Sequence, residues 1–447
     1  MSHARDIRWT NKSVLNLAKG EDPVAVMERK ARDLVLRAKD AGWEGPPFNP
    51  VAIADLLNVP VEATADIVDA RTISTPEGLR IEFNPAQVRE RVRFSIAHEL
   101  AHLLFPDVAK RVRHRGGDPE LSDDWQLEAL CNLAASEFVM PIGSLPMRGQ
   151  VPTIEELMVE RRRFDVSAEA FLIRVVKTAY EAIAMFCASP RAKGSSRIYS
   201  IDYAVNSASA PRLRIAGRRV PHSSMVYSCT AIGYTNRAME DWFSLDGLNV
   251  ECVGIPGYPG SSYPRVAGLI RLNDDEHVSK DIKFVHGDVL DPRGAGTKLI
   301  CQLVNDQART WGGGVARSAA KKFPVAERDF TNWLYRRSRT ERLGQVHFVR
   351  VDPSTYIASL VAQKGYGASK TPRIRYMALK CCLEQVASFA QSNGASVHMP
   401  RIGTGQSGGQ WDTVDELIRA TLVKNDVPVT VYDLPPTRIP KQLGFLV

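Results

Sequence analysis

The chain has 447 residues, 44% of them apolar and 24% charged, values that fit a folded protein and exclude a disordered, collagenous or dedicated coiled-coil chain. At about 150 residues per domain, the length allows roughly three domains. Lysine and arginine exceed aspartate and glutamate by 58 − 50 = 8, a mild basic balance that permits an anionic partner without requiring one. No apolar run reaches the ~18 residues of a membrane span. None follows the charges of the first residues either, so no secretory leader is expected. Seven scattered cysteines with no Cys-x-x-Cys pair fit free thiols in a reducing cytoplasm.

In chain order, the first block reads as mainly helical. Helical spacing runs over 25–41 and stops at Gly42, and Asn49-Pro50 opens a short helix over 51–57, with proline at its favoured first position. Alternation predicts a strand over 79–83; helices are predicted over 89–105, stopped by Pro106, and over 124–139, stopped before Pro141. A small, polar stretch at 188–197 and a charged run at 273–279 are the expected boundaries. They divide the chain into 1–190, 191–275 and 276–447. The middle stretch has β-rich pieces such as 250–255 and a Gly/Pro loop over 254–265, but no motif that carries chemistry. The last block alternates strand and helix through 284–290, 298–304, 315–323, 346–351, 356–363, 373–392, 396–402, 412–423 and 427–432, the pattern of an α/β layered domain.

The predicted helix over 89–105 holds His98-Glu99-Leu100-Ala101-His102. Histidines four apart lie one turn above each other on one face, and two imidazoles so placed can bind Zn²⁺ at about 2.0–2.1 Å. Glu99 between them suits general acid/base work on water and a leaving amine. A third ligand is expected from the next helix. Glu128 is the first choice, and Glu137, nine residues on and facing away from it, is the runner-up. His114 reads as a solvated loop residue.

These residues, with Glu128-x-x-Cys131-Asn132-Leu-Ala-Ala and Val139-Met-Pro141, resemble the ImmA/IrrE family of bacterial metallopeptidases over about 25–185. The resemblance implies a zincin-like, mainly α domain. In it His98, His102 and Glu128 bind zinc and Glu99 is catalytic. The implied substrate is a specific regulator, such as a repressor or antitoxin, cleaved in a stress or defence response. Cys131 stands where alanine is usual and Leu133 where phenylalanine is usual, changes expected to affect packing more than chemistry. The stretch 161–174 resembles that family's helix-turn-helix-like tail. Packing is its favoured role, and DNA is a further candidate partner through Arg161 to Arg163 if phosphates meet them. Some relatives carry a small GAF-like sensor after the peptidase, and position alone suggests an α+β equivalent over 191–275.

Two glycine-rich loops mark the last block. One runs from Asn305 through Trp311 to Gly312, Gly313, Gly314 and Val315 after a predicted strand. The other carries Gly403, Thr404, Gly405, Gln406, Ser407 and Gly408 between a strand and a helix. Glycines let backbone N–H groups converge on an anion, and two such loops suggest a diphosphate held from both sides. With Val285-His-Gly287-Asp288 and His398-Met-Pro-Arg-Ile-Gly403, the block resembles the macro domains, three-layer α/β binders of ADP-ribose, in the subgroup that includes the terminal ADP-ribose protein glycohydrolase. The resemblance implies that Asp288 bonds the adenine amino group, the Asn305–Val315 loop wraps the distal ribose and the second loop holds the diphosphate. That enzyme's lysine nucleophile aligns with Gln363, with Lys364 one residue beyond, and its loop aspartate with Ser407. A glutamine forms no covalent imine, so binding is favoured over hydrolysis.

The expectation is therefore a multidomain cytoplasmic zinc endopeptidase, with no membrane association, controlled by an ADP-ribose-binding macro domain. The alternative is a macro-domain hydrolase that removes ADP-ribose from protein or nucleic acid, with the peptidase block as scaffold.

Overall fold

The computed structural model describes residues 8–109, 123–145, 151–193, 196–243, 245–258, 263–272, 282–367 and 369–433. His114, the expected boundary at 273–279 and residues 259–262 of the Gly/Pro loop lie outside them. The chain folds as two compact units, Met1–Ala38 with Trp43–Val278, and Lys39–Gly42 with Ser279–Val447. Among the described residues no helix is long and apolar enough to cross a membrane.

In the first unit, helices α1 (Lys12–Ala18), α2 (Pro23–Asp40) and α3 (Val51–Leu56) precede strands β1 (Val61–Ala63), β2 (Ala70–Thr75) and β3 (Gly78–Phe83). The strand order is β1-β3-β2, with β2 antiparallel to β3 and, among the described residues, at the edge of the sheet. Helix α4 (Arg89–His102) packs on β2, on β3 and on α5 (Asp124–Val139). Ala97 and Ala101 of α4 and Ala134 and Ala135 of α5 are fully buried. Side chains this small let helix backbones approach closely.

Two short helices follow, α6 (Ile154–Arg161) and α7 (Ala168–Thr178). Thr153 and Glu156 form a reciprocal capping box at α6, and the Ser167 hydroxyl accepts the Ala170 N–H at α7, satisfying amides that have no partner inside the helix. Helix α7 buries Phe171, Leu172, Val175 and Val176, so the tail expected at 161–174 packs. Arg161 donates to the Val166 carbonyl at 2.6 Å and Arg163 pairs with Glu160.

Five antiparallel strands complete the unit: β4 (Ile183–Lys193), β5 (Ser196–Asn206), β6 (Thr235–Trp242), β7 (Leu245–Ile255) and β8 (Arg265–Arg271), in the order β5-β4-β8-β7-β6. The stretch at 188–197 is thus no boundary; it is the β4–β5 hairpin, and the sheet begins at Ile183. The sheet's helical layer comes from α6 and α7 of the preceding block. Two arginines fasten it there. Arg265 grips Glu169 of α7 at 2.7 and 2.9 Å. Arg271 bonds Glu251 at 2.6 Å and the Val151 and Pro152 carbonyls at 2.9 and 2.8 Å.

The second unit holds β9 (Lys283–His286), β10 (Thr297–Asn305), β11 (Val346–Asp352), β12 (Thr355–Gln363), β13 (Ala395–Pro400) and β14 (Val429–Asp433). Their order is β11-β12-β10-β13-β14-β9, parallel throughout except for β11 against β12. Helices α8 (Gly314–Lys322), α9 (Pro324–Tyr335), α10 (Tyr376–Asn393) and α11 (Trp411–Thr421) connect them. The sequence reading missed α9, because Pro324 looks like a stop. At the first helical position, where it stands here, proline sacrifices no hydrogen bond.

Candidate functional site

Packing of α4 on α5 brings three side chains to one point. His98 Nε2 lies 2.9 Å from Glu128 Oε2 and 3.2 Å from His102 Nε2, and His102 Nε2 lies 3.7 Å from Glu128 Oε1. Ligand atoms about 2.0–2.1 Å from one tetrahedral ion stand roughly 3.3 Å apart. The three separations straddle that value, so the donor set fits a divalent ion of zinc's size. His98, His102 and Glu128 are brought together as expected.

The surroundings orient the set. Asn132, one turn after Glu128, places Oδ1 3.0 Å from His98 Nδ1. An acceptor at Nδ1 holds the ring with Nε2 toward His102 and Glu128, the kind of outer hydrogen bond that orients a metal-binding imidazole. Cys131 Sγ lies 3.5 Å from His102 Nδ1 and joins both histidines in one cluster of ligating atoms. The departure at 131 therefore touches the chemistry as well as the packing. Burial disfavours the charged form of His98, but the bond and charge of Glu128, with Glu99 and Asn132, outweigh it and hold its pKa above the ordinary imidazole value.

Glu99 is buried, and its Oε2 accepts the Thr72 hydroxyl at 2.6 Å. Thr72 comes from edge strand β2, and the sequence reading gave it no role. The runner-up ligand Glu137 is excluded by its own partners. It pairs with Arg174 of α7, lies 3.8 Å from Arg32 and accepts the Ile142 N–H at 3.0 Å. Nine residues are two and a half turns, so it faces the opposite side of α5.

In the second unit a cavity of about 920 Å³ opens at the carboxyl ends of β10, β12 and β13, whose last residues Asn305, Gln363 and Pro400 line it. Ligands of open α/β sheets bind at that edge. Both glycine loops line the cavity as expected, through Gly312 to Val315 and through Gly403, Gly405, Gln406 and Ser407. A Cβ at Gly313 would lie 3.8 Å from Gln406 Oε1, so the loops face each other. Gly403 has φ +78°, and a Cβ there would sit 2.5 Å from Ile374 Cδ1; only glycine fits. The cavity's charged lining residues are Arg309, Arg339 and Arg401, with no carboxylate among them. A wall of this kind suits an anion.

Four expected residues stand apart from the cavity: Asp288, Thr404, Gly408 and Lys364 are not in its wall. Asp288 Oδ1 accepts the Leu290 N–H at 2.9 Å in the turn after β9, and the Thr404 hydroxyl donates to the Arg401 carbonyl at 2.9 Å. Gln363 is held at both ends, its Oε1 accepting the Ser407 hydroxyl at 2.6 Å and its Nε2 donating to the Gly365 carbonyl at 2.8 Å. Sequence reasoning missed Tyr366 and Arg339, which lie in no motif, and gave no role to Arg309 and Arg401, which lie within the quoted loop and motif.

The first unit thus carries a helix-borne His-Glu-x-x-His donor set, and the second, an α/β unit, carries a cavity lined by two glycine loops. Residues 59–176 match the IrrE N-terminal-like domain, Peptidase_M78. The chain is 30% identical over 165 residues to human ADP-ribose glycohydrolase OARD1, covering 36% of this chain and 97% of that protein. It is 28% identical over 195 residues to the Danio rerio chromodomain-helicase-DNA-binding protein 1-like, covering 39% of this chain but spanning only 19% of that relative's length. The solved macrodomain protein of Streptomyces coelicolor is 35% identical, with 35% of this chain and all of that one covered and a TM-score of 0.30. The chain belongs to the macro domain family through its C-terminal part and carries an IrrE N-terminal-like domain ahead of it.

Proposed function

We propose that this protein is a zinc-dependent endopeptidase with a zincin-like fold, controlled by an ADP-ribose-binding, three-layer macro domain. Its substrate is a regulatory protein, a repressor or antitoxin, cleaved in a cytoplasmic stress or defence response. The observation that carries the reading is the convergence of His98, His102 and Glu128 within 2.9–3.7 Å beside the anchored Glu99. His98, His102 and Glu128 would hold the ion. Bound there, Zn²⁺ would polarise a peptide carbonyl and lower the pKa of water. Glu99 accepts a proton from the attacking water and delivers it to the departing amine nitrogen. Thr72 keeps one carboxylate oxygen fixed while the other faces the reaction. Apolar neighbours such as Ile96 and Leu100, both buried, keep bulk water from the helix.

In the second unit we assign the diphosphate to the Gly403–Gly408 loop and the distal ribose to the Asn305–Val315 loop; Asp288, outside the cavity wall, is given no part in this assignment. Binding shifts the peptidase only if the ligand prefers one of its states, whatever its affinity. The test compares cleavage products across a cell's proteome for wild type and Glu99→Gln, each with and without ADP-ribose. Products absent from Glu99→Gln and changed in amount by ADP-ribose support the reading. The second reading, an eraser of ADP-ribose, is favoured by the relation to a glycohydrolase. Against it stands a cavity wall without lysine or carboxylate and a Gln363 already bonded at both ends. If Glu99→Gln retains full function, this second reading takes over.

A further inference from the structure

We infer that the loop over 211–222, which runs along the outer edge of β5 in the first unit, is a nucleic-acid-binding surface that grips the phosphodiester backbone through Arg212, Arg214, Arg218 and Arg219. The sequence is one-sided there. Residues 203–239 hold five arginines and no aspartate or glutamate, where the chain's overall frequency of 50 in 447 would place about four. The acids that flank this stretch have partners of their own. Asp202 accepts the Ser189 hydroxyl and lies 3.9 Å from Arg265. Glu240 accepts the Met225 N–H and the Trp242 indole N–H, each at 2.6 Å.

The fold turns this stretch into a fixed surface. The Gly217 N–H donates to the Ile201 carbonyl at 2.7 Å, the Ile201 N–H to the Arg218 carbonyl at 2.9 Å and the Val220 N–H to the Tyr199 carbonyl at 2.9 Å, and Ser200 pairs with Arg219 in antiparallel fashion. The loop reverses where the Arg218 N–H meets the Ile215 carbonyl at 3.1 Å, with Gly217 at φ +79°, a conformation that strains any residue with a side chain. Ile215 and Val220 are buried in the core beneath the loop and Leu213 packs against it. Between these anchors Arg212, Arg214, Arg218 and Arg219 are all exposed. None of the four forms an ion pair among the described residues, and the Arg218 guanidinium lies over the Phe243 ring, 4.9 Å from its centroid. Four guanidinium groups without counter-charges on an anchored loop attract a polymer that carries a negative charge on every repeat. Their planar forks match phosphate oxygens two at a time. Next to them in the chain, the exposed His222 ring stacks on Tyr227 at 5.5 Å and 30°. A base can stack on such a ring, and an acidic polypeptide has no base to place there, which favours a nucleic acid over an acidic protein.

The experiment follows fluorescence anisotropy as the full chain is titrated into labelled single-stranded DNA, duplex DNA, single-stranded RNA and, as the acidic polypeptide, polyglutamate, over a series of salt concentrations. The oligonucleotides are expected to bind with a log affinity that falls linearly with log salt. Arg212→Gln/Arg214→Gln should weaken this binding on the order of tenfold at low salt and make the slope shallower by about 1.4 on a single strand or 1.8 on a duplex. Arg218→Gln/Arg219→Gln tests the second pair in the same way, so the result does not hang on the folding of one variant. Arg237→Gln is the control for charge alone. Arg237 stands opposite Glu251 in the β6–β7 pair, and Glu251 accepts the Ile154 N–H at the start of α6, so Arg237 shares the face covered by helices. Its loss should change affinity less than about twofold. Tighter binding of one oligonucleotide than of the others supports the surface and names the strand it prefers. Failure of wild type to bind any of the three overturns the proposal, as do double variants that bind like wild type. An Arg237→Gln loss equal to theirs reduces the effect to net charge and also overturns it. Polyglutamate bound as tightly as the oligonucleotides hands the surface to an acidic protein instead.

Discussion

A hydroxyl 2.6 Å from a buried carboxylate does more than satisfy it. Thr72 fixes one oxygen of Glu99, which restricts the carboxylate to a single orientation beside the histidines. Fixing a reacting group before substrate arrives removes entropy from the barrier. In the proposed peptidase, Thr72→Val is expected to lower kcat by on the order of tenfold or more with little change in KM, while Thr72→Ser recovers most of it. Bound metal, counted by elemental analysis, should be the same in all three proteins. A valine variant as fast as wild type would show that the hydroxyl orients nothing. The pairing was invisible in sequence because 27 residues separate Thr72 from Glu99 and threonine in a strand is ordinary. The pair of histidines, in contrast, was legible from helical spacing alone, and Glu128 only as the first of two candidates.

Helix α5 works on two faces. One presents Glu128 to the histidines, and the other sends Glu137 into the buried pair with Arg174 of α7. Burial pushes the Glu137 carboxyl up, but Arg174 and Arg32 and the Ile142 amide outweigh it, so its pKa lies below the ordinary glutamate value. A carboxyl lowered on folding adds stability that is complete above its unfolded pKa and is lost as pH falls through the folded one. Glu137→Gln leaves the buried Arg174 without a counter-charge and is expected to cost about 3 kcal/mol, a fall in Tm of roughly 10 °C at neutral pH. Melting curves should show the gap to wild type closing below about pH 4. A gap that stays constant down to pH 2 would mean the ion pair is not what stabilises the α5–α7 contact. The same glutamate was a candidate ligand by composition; only its direction from the helix axis separates the two roles.

For the whole molecule, the two compact units give ADP-ribose a definite signature. A ligand that binds only the folded second unit stabilises it by about 2.7 kcal/mol at a hundred times its Kd. The expected result in calorimetry is a shift of the transition that belongs to this unit. Under the control proposed above, the cleavage rate changes in the same ligand range. A shift in melting with no change in cleavage at any ADP-ribose concentration would separate sensing from proteolysis and leave two independent activities on one chain.

What the sequence determined by itself was local: most of the helices and strands of the α/β unit, α9 excepted, the two histidines on one face, and the glycines that leave backbone amides open. These follow from periodicity and from residue shape, which act over a few residues. Tertiary structure decided what depends on chain segments far apart. It set Glu128 against the histidines and Glu137 against Arg174, brought Thr72 to Glu99 and Cys131 to His102, and left Asp288 and Lys364 outside the cavity wall. It also turned an expected boundary at 188–197 into a hairpin, because the apolar run before it is a strand buried between neighbours, and burial is a property of the neighbours.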